Sequence, residues 1–364
     1  MKILIFNWRD IKNSWAGGSE IYIHEIAKRL VARGNQVTLF CAQDPNSKLP
    51  DEETVDGVKI VRKGGRFSVY LWAPIYYFKK LRKDADVIVD TQNGIPFFTP
   101  LFSLKKKYCL VHHVHGEQFF YEFSKIPGTV GFLTEKYVFP LIYKFVDIIA
   151  VSKTTKEELI KIGFNKIRIS VVYNGIYRSK SLNKIKKFSE PTIIYLGRIK
   201  RYKRVDLLIK LMPDILKKVP SVRLLIAGWG TEGEEITNIV MKGNIKKHVE
   251  VVGPVSELKK KELLSKSWVF VNPSIHEGWS ISVLEANSYG TPAVAFKVPG
   301  LSESIVDGKT GMLCDTEEGL VDCISKLLLD KNQCARLGKN AREWATTFSW
   351  DKSADDFLKL LKLL

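Results

Sequence analysis

Short runs of β-branched and aromatic residues alternate along the chain with longer segments whose apolar positions recur at three- and four-residue spacing. In the first half, Lys2 to Phe6, Gln36 to Phe40, Val58 to Val61, Val87 to Asp90, Tyr108 to His112, Ile148 to Val151 and Ile169 to Val172 predict strands. Between them, Glu20 to Ala32, Tyr70 to Arg82 and Thr154 to Ile162 carry the amphipathic pattern of helices. After a basic, Ser- and Lys-rich connection, Arg178 to Lys187, the cycle restarts, with strands expected at Thr192 to Leu196, Arg223 to Ala227, Val249 to Val252, Trp268 to Val271 and Ala293 to Phe296. Strands that are apolar on both faces and alternate with helices belong to parallel sheets covered on both sides. The chain therefore reads as α/β, with two doubly wound domains joined near residue 180.

Length agrees with that division, because 364 residues exceed what a single hydrophobic core usually organises. Hydrophobic residues at 45% exclude a disordered or collagenous chain. The five cysteines, at 41, 109, 314, 323 and 334, form no C-x-x-C pair, so free thiols are expected in place of a disulfide framework or zinc ribbon. The opening MKILIFNWRD lacks the basic region, long apolar run and cleavage site of a secretory signal, so a cytoplasmic location is expected. Tyr137 to Val151, the longest apolar stretch, is interrupted by Pro140, Lys144 and Asp147, and no transmembrane helix is predicted. A net charge of +18 calls for an anionic partner (phosphate groups, a membrane surface or nucleic acid), unless it reflects solvated lysine-rich faces.

In open parallel sheets, ligands bind beyond the carboxyl ends of the strands. After the first strand, Gly17 and Gly18 open a helix and would let backbone N–H groups approach an anion, or simply make a tight turn. His112, His113 and His115 follow a later strand. His113 and His115 would share a face if that strand ran on, raising a metal site, although a histidine hydrogen-bonding a substrate fits better. In the second half, Gly197-Arg-Ile-Lys-Arg-Tyr-Lys-Arg204 places basic side chains between a strand and a helix, as a diphosphate pocket requires or as a solvated basic face would. Gly228-Trp-Gly-Thr-Glu-Gly233 is a literal G-x-G-x-x-G, but the acid downstream, Glu250, sits at the start of its strand and not at the far end, so the loop is read as touching a nucleotide without NAD chemistry.

The stretch HEGWSISVLEA, residues 276–286, sets Glu277 just before a helix expected from Trp279 to Tyr289 and Glu285 about two turns inside it. Eight helical residues rise about 12 Å, too far for the carboxyl pair of a glycosidase, which needs about 5 to 9.5 Å. The spacing suits one long ligand gripped at two places, with the N–H groups of Gly278, Trp279, Ser280 and Ile281 free for phosphate oxygens between them. A nucleotide sugar has that form.

Glu277 to Glu285 resembles the E-x7-E motif of the retaining GT-B glycosyltransferases of family 4. Gly17-Gly18, His115-Gly116, Asn174-Gly175, Arg198 with Lys203, Gly290-Thr-Pro292 and Gly300 to Gly311 extend the resemblance over nearly the whole chain. It implies two Rossmann-like domains facing a cleft: an acceptor-binding domain over residues 1–177, a nucleotide-sugar-binding domain over 178–348, and a closing helix over 349–364 packed toward the first. It also implies a transfer with retention of configuration from a nucleoside-diphosphate sugar to an acceptor hydroxyl. Arg198 and Lys203 would hold the diphosphate and stabilise the leaving group. Glu277 would bind the transferred sugar, Glu285 the ribose, and His115 the sugar from the opposite wall; Gly17, Gly18, Gly228, Gly230, Gly278, Trp279, Ser280 and Ile281 complete the donor set. No metal or other cofactor is expected, since Arg198, Lys203 and the helix end supply the positive charge. Asp84-Ala-Asp86 precedes a strand and reads as a surface turn. Aromatics mixed with lysines at Arg66 to Lys83 and Phe119 to Phe145 suit a face on an anionic membrane, so the acceptor is expected to be a carbohydrate, lipid-linked or near a membrane. A nucleotide-sugar epimerase of similar fold and, further off, a nucleic-acid-binding protein are the alternatives, and the spread of the lysines weighs against nucleic acid.

Overall fold

The computed structural model describes residues 1–177, 186–243 and 245–362, so most of the basic connection lies outside the described residues. The chain separates into two compact units, Met1–Gly175 together with the stretch from Trp350, and Ile176–Ser349.

The first unit is built on eight strands: β1 (Lys2–Phe6), β2 (Gln36–Cys41), β3 (Glu52–Val55), β4 (Val58–Arg62), β5 (Val87–Gln92), β6 (Lys106–Val111), β7 (Asp147–Ala150) and β8 (Ile169–Val171). Their order is β3-β4-β2-β1-β5-β6-β7-β8. All neighbours are parallel except β3 and β4, an antiparallel hairpin closed by Asp56 and Gly57, both at positive φ. An Asp-Gly turn of this kind matches the twist of the flanking strands. β3 escapes the apolar pattern because it is a short edge strand of sequence Glu-Glu-Thr-Val. Chain order reverses about β1, which puts the switch point of the sheet at the carboxyl ends of β1 and β5.

The helix expected from Tyr70 begins at Val69 and runs to Tyr76, then widens over Tyr77–Leu81 and tightens over Arg82–Asp84. That last turn leads to Asp86, whose carboxylate accepts the backbone N–H of Lys2 at 2.7 Å, in keeping with a surface turn at this point. The helix Trp350–Lys362 lies on the helix Gly18–Ala32 of the same unit. Arg29 Nε meets Asp351 at 3.0 Å, Arg33 Nε meets Asp355 at 2.6 Å, and the Tyr108 hydroxyl donates to the Leu360 carbonyl at 2.6 Å. Trp350, Ala354, Phe357 and Leu361 form its buried stripe at helical spacing.

The second unit is a wholly parallel six-stranded sheet: β9 (Thr192–Leu196), β10 (Arg223–Ala227), β11 (Val249–Gly253), β12 (Val269–Asn272), β13 (Ala293–Phe296) and β14 (Gly311–Cys314). The order is β11-β10-β9-β12-β13-β14, with its switch point between β9 and β12. Alternate residues of β9 feed opposite cores: Ile193 and Tyr195 pack on one face, Ile194 and Leu196 on the other. That two-sided burial is why β9 and β10 read as unbroken apolar runs. β14 was not foreseen; a Cβ on Gly311 would come within 2.1 Å of the Ala293 carbonyl, so glycine interrupts the apolar run where two strands approach most closely.

Candidate functional site

In the second unit, the loops after β9, β10, β12 and β13 nest together. The turn Arg201–Lys203 follows β9 and carries Lys203, whose Nζ lies 2.5 Å from Glu277 Oε1. The same oxygen accepts from Asn272 Nδ2 at 3.1 Å and Ser274 Oγ at 3.0 Å, so all three of these bonds converge on one carboxylate oxygen. Burial works against an ionised Glu277, yet Lys203 and the two neutral donors outweigh it and hold the carboxyl below its usual value. Burial likewise opposes the charge on Lys203, and Glu277 overcomes it, holding the ammonium above its usual value; Arg198 acts on Lys203 in the opposite sense, as a nearby like charge. Arg198 and Lys203 are thus brought into one electrostatic neighbourhood. The Tyr195 hydroxyl fixes the backbone beside them by donating to the Arg198 carbonyl at 2.7 Å.

The helix after this loop spans Ile281–Ser288, two residues shorter at its start than the pattern suggests. Glu285 therefore stands about one turn inside it, not two. The start is displaced because Ser280 is left-handed at φ 70°, a conformation that suits glycine. Its hydroxyl accepts from Asn272 Nδ2 at 3.1 Å, which ties the strained residue to the Glu277 network. Trp279 does not offer its ring to a ligand: it is buried against Phe348, with centroids 5.1 Å apart, so only its backbone is available to a donor. Glu285 pairs with Lys260 at 2.6 Å. Burial nevertheless prevails over that ammonium and leaves the carboxyl above its usual value.

The glycines of the G-x-G-x-x-G have a structural explanation. A Cβ on Gly228 would sit 1.8 Å from the Gly197 carbonyl, and one on Gly230 would sit 2.0 Å from that of Ile199. Ile199 N–H also donates to the Trp229 carbonyl at 2.8 Å. These glycines let the β10 loop close on the basic β9 loop. Gly300 plays the same part for the loop after β13, where a Cβ would come within 2.0 Å of the Glu277 carbonyl.

In the first unit, Gly17 caps the helix Gly18–Ala32, but its N–H is already taken by Glu20 Oε2 at 2.7 Å. The anion expected at Gly17 is thus supplied by the helix itself. Glu20 Oε1 in turn meets Arg9 Nε at 3.1 Å. β6 ends at Val111, so His113 and His115 do not share a strand face, although the following loop brings their rings to 3.9 Å. Among the described residues, no group of three or more His, Cys, Asp or Glu side chains is placed to hold a metal ion.

Glu135, which the sequence reading missed, organises this loop. It accepts the backbone N–H groups of His115 at 2.9 Å and Gly116 at 2.7 Å, lies 3.3 Å from His115 Nδ1, and accepts from Gln92 Nε2 at 2.8 Å. The signal was present: Glu135 is the only acid between Glu122 and Asp147, inside an apolar stretch. His115 stacks on Phe119 at 4.9 Å. Burial drives His112 down to about 4, so it is neutral at physiological pH. Burial likewise raises Glu158 to about 7, although it accepts a hydrogen bond from the Val114 backbone.

Residues 16–180 match the family described as Glycosyltransferase Family 4, and residues 178–344 match Glycosyl transferases group 1. An uncharacterized glycosyltransferase of Methanocaldococcus jannaschii is 25% identical over 100% of this chain and 99% of its own length. The solved sucrose-phosphate synthase of Thermosynechococcus elongatus superposes with a TM-score of 0.81 at 22% identity, covering 99% of this chain and 98% of that one. Anabaena HepE, solved in complex with UDP and glucose, superposes with a TM-score of 0.79 at 18% identity over 100% of both chains.

Proposed function

The chain belongs to family 4 of the glycosyltransferases and has the GT-B fold, and from that premise we propose that it moves a sugar from a nucleoside-diphosphate sugar to an acceptor hydroxyl with retention of configuration and without an obligatory metal. The observation that carries this reading is the Lys203–Glu277 pair at the β9 and β12 strand ends, beside Arg198 and the start of the helix Ile281–Ser288. Lys203 and Arg198 would neutralise charge growing on the departing diphosphate, and the backbone N–H groups of residues 278–281 would bind its oxygens. Glu277 would accept hydroxyls of the transferred sugar and Glu285 those of the ribose. Gly228 and Gly230 would contribute backbone only, and His115 would contact the transferred sugar. The E-x7-E resemblance supports retention, and the fixed cations support metal independence. HepE was solved with UDP and glucose, which makes a UDP sugar the first donor to try.

The test is a thermal-shift panel of UDP, GDP and ADP with their sugars, because a ligand of the folded state raises apparent stability. One nucleotide class should shift the transition, and no shift with any of them would overturn the reading. Activity surviving a chelator, with a product whose anomeric coupling matches the donor's, would test the other two parts.

We place the acceptor at an anionic membrane face. On the helical connections that follow β4 and β6, Leu71, Phe78, Ile126, Leu141 and Phe145 are exposed, with Lys79, Lys80, Lys125 and Lys144 in the same segments. Both connections cover the same face of the sheet: Ile88 of β5 belongs to the core under the first and pairs with Lys107 of β6, two residues before Cys109, which belongs to the core under the second. Apolar side chains set among lysines favour anionic lipid. No helix among the described residues is long and apolar enough to cross a membrane. Flotation with anionic vesicles at low salt should carry the protein upward, and failure to float would remove the membrane.

A further inference from the structure

One guanidinium in the first unit is ringed by aromatics. Arg66 Cζ lies 5.7 Å from the Trp8 ring centroid, 5.9 Å from Trp15, 5.2 Å from Phe67 and 5.5 Å from Phe123. A second guanidinium, that of Arg9, stands 4.3 Å from the Trp8 ring. These residues come from the loops after β1, β4 and β6, at the carboxyl edge where an open parallel sheet receives ligands. The cluster is built: the Trp8 indole N–H donates to the Arg66 carbonyl at 2.9 Å, and buried Arg9 is held by Glu20.

Two features set this cluster apart from ordinary packing. Trp8, Trp15 and Phe123 are only half-buried while Arg66 is exposed, so part of each of these residues stays open to solvent. Among the described residues no carboxylate pairs with Arg66, whereas Arg9 and Arg62 are both matched by acids. Aromatic faces carry negative charge density that attracts the polarised C–H groups of a pyranose ring, and a guanidinium fork fits phosphate or carboxylate through two parallel hydrogen bonds. We propose that Trp8, Trp15, Phe123 and Arg66 form a subsite for an anionic carbohydrate, the sugar ring against the aromatics and its phosphate or carboxylate on Arg66. This rests on the transferase reading for the ligand to be the acceptor. Phe67 and Leu71, exposed beside the subsite in the chain, would adjoin the tail if the phosphate links the sugar to a lipid.

Calorimetric titration of the full chain tests this with four probes: methyl glucoside, glucuronate, glucose 1-phosphate, and the citronellyl diester of glucose 1-phosphate in detergent micelles. The charged sugars should bind at least about tenfold more tightly than methyl glucoside, a margin of about 1.4 kcal/mol. Arg66→Ala should abolish that margin, Arg66→Lys should restore part of it, and Trp15→Ala should weaken every sugar. Preference for the diester would identify a lipid-linked source, and parity with glucose 1-phosphate a soluble one; either upholds an anionic acceptor. Equal binding of charged and neutral sugars, no binding of any, or a margin that survives Arg66→Ala in a variant of unchanged melting temperature would overturn it. The nucleotide panel run on the same samples keeps the two readings apart. A nucleotide shift without sugar binding sinks only the subsite, and sugar binding without a nucleotide shift sinks only the donor reading.

Discussion

Glu277 and Glu285 stand eight positions apart and each holds a lysine at nearly the same distance, 2.5 Å and 2.6 Å, yet the two carboxyls are displaced in opposite directions. For both, burial disfavours the charge. At Glu277 it is overcome by Lys203 together with Asn272 and Ser274, and at Glu285 the ammonium of Lys260, shared with Glu257 at 2.8 Å, does not suffice against burial and the Glu257 charge. An opposite charge alone does not keep a buried carboxylate ionised; neutral hydrogen-bond donors help it, and a neighbouring like charge works against it. The consequence for the site is a division of labour. Glu277 is held toward its ionised form and fixes Lys203, and Glu285 is held less firmly in that form; in the proposed reading it is the one that would exchange its lysine for a ligand's hydroxyls.

The largest effect that would break this contrast is catalytic. Lys203→Ala should lower kcat/KM about 10²–10³-fold, the loss expected on removing one preorganised donor from developing charge, while Lys260→Ala should act mainly on the KM of the donor. Steady-state kinetics with the donor found in the panel would show it, and equal losses in kcat would dissolve the distinction.

The next effect is a pair of opposite pH slopes in urea unfolding. The lowered carboxyl of Glu277 contributes stability above its usual value of 4.5 and loses it as pH falls through the depressed value. Glu277→Gln should therefore be penalised more at about pH 6 than at about pH 3. The raised carboxyl of Glu285 contributes stability only below 4.5 and loses it as pH rises through the elevated value. Glu285→Gln should accordingly gain on the parent chain as pH climbs toward neutrality. Parallel slopes would contradict the contrast.

The smallest effect sharpens it. Ser280→Gly relieves a left-handed backbone worth about 1–2 kcal/mol and deletes a hydrogen bond worth about 0.5–1.5 kcal/mol. Thermal melts should then differ by no more than a few degrees. A large loss would mean that the Ser280 hydroxyl holds Asn272 in place for Glu277.

Much of this architecture was legible before any coordinates. The runs that became β1, β9, β10 and β13 are apolar because both their faces are buried, and their limits were read correctly to the residue. What escaped lacked that signature: β3 is a polar edge strand, and β14 opens on a glycine required by backbone contact. In the site, Lys203 and Glu277 were named from their places after strands and do meet. The N–H of Gly17 was read as open to an anion and is taken instead by Glu20, a partner inside the next turn; the backbone of Trp279 was assigned to the ligand, and its ring packs on Phe348, remote from the motif. Glu135 illustrates the converse. Its role is set by a loop about twenty residues earlier, and only three-dimensional pairing reveals it.

The helix Trp350–Lys362 has a consequence for how the chain acquires its structure. It follows the second unit in the chain yet supplies the partners of Tyr108, Arg29 and Arg33, so the first unit is completed only after the whole of the second has been synthesised. The segment Ile176–Ser349 is, in topology, an insertion whose entrance and exit are joined by a parallel bridge between Ile176 and Ser349. It can fold while the nascent amino-terminal sheet still waits for its final layer.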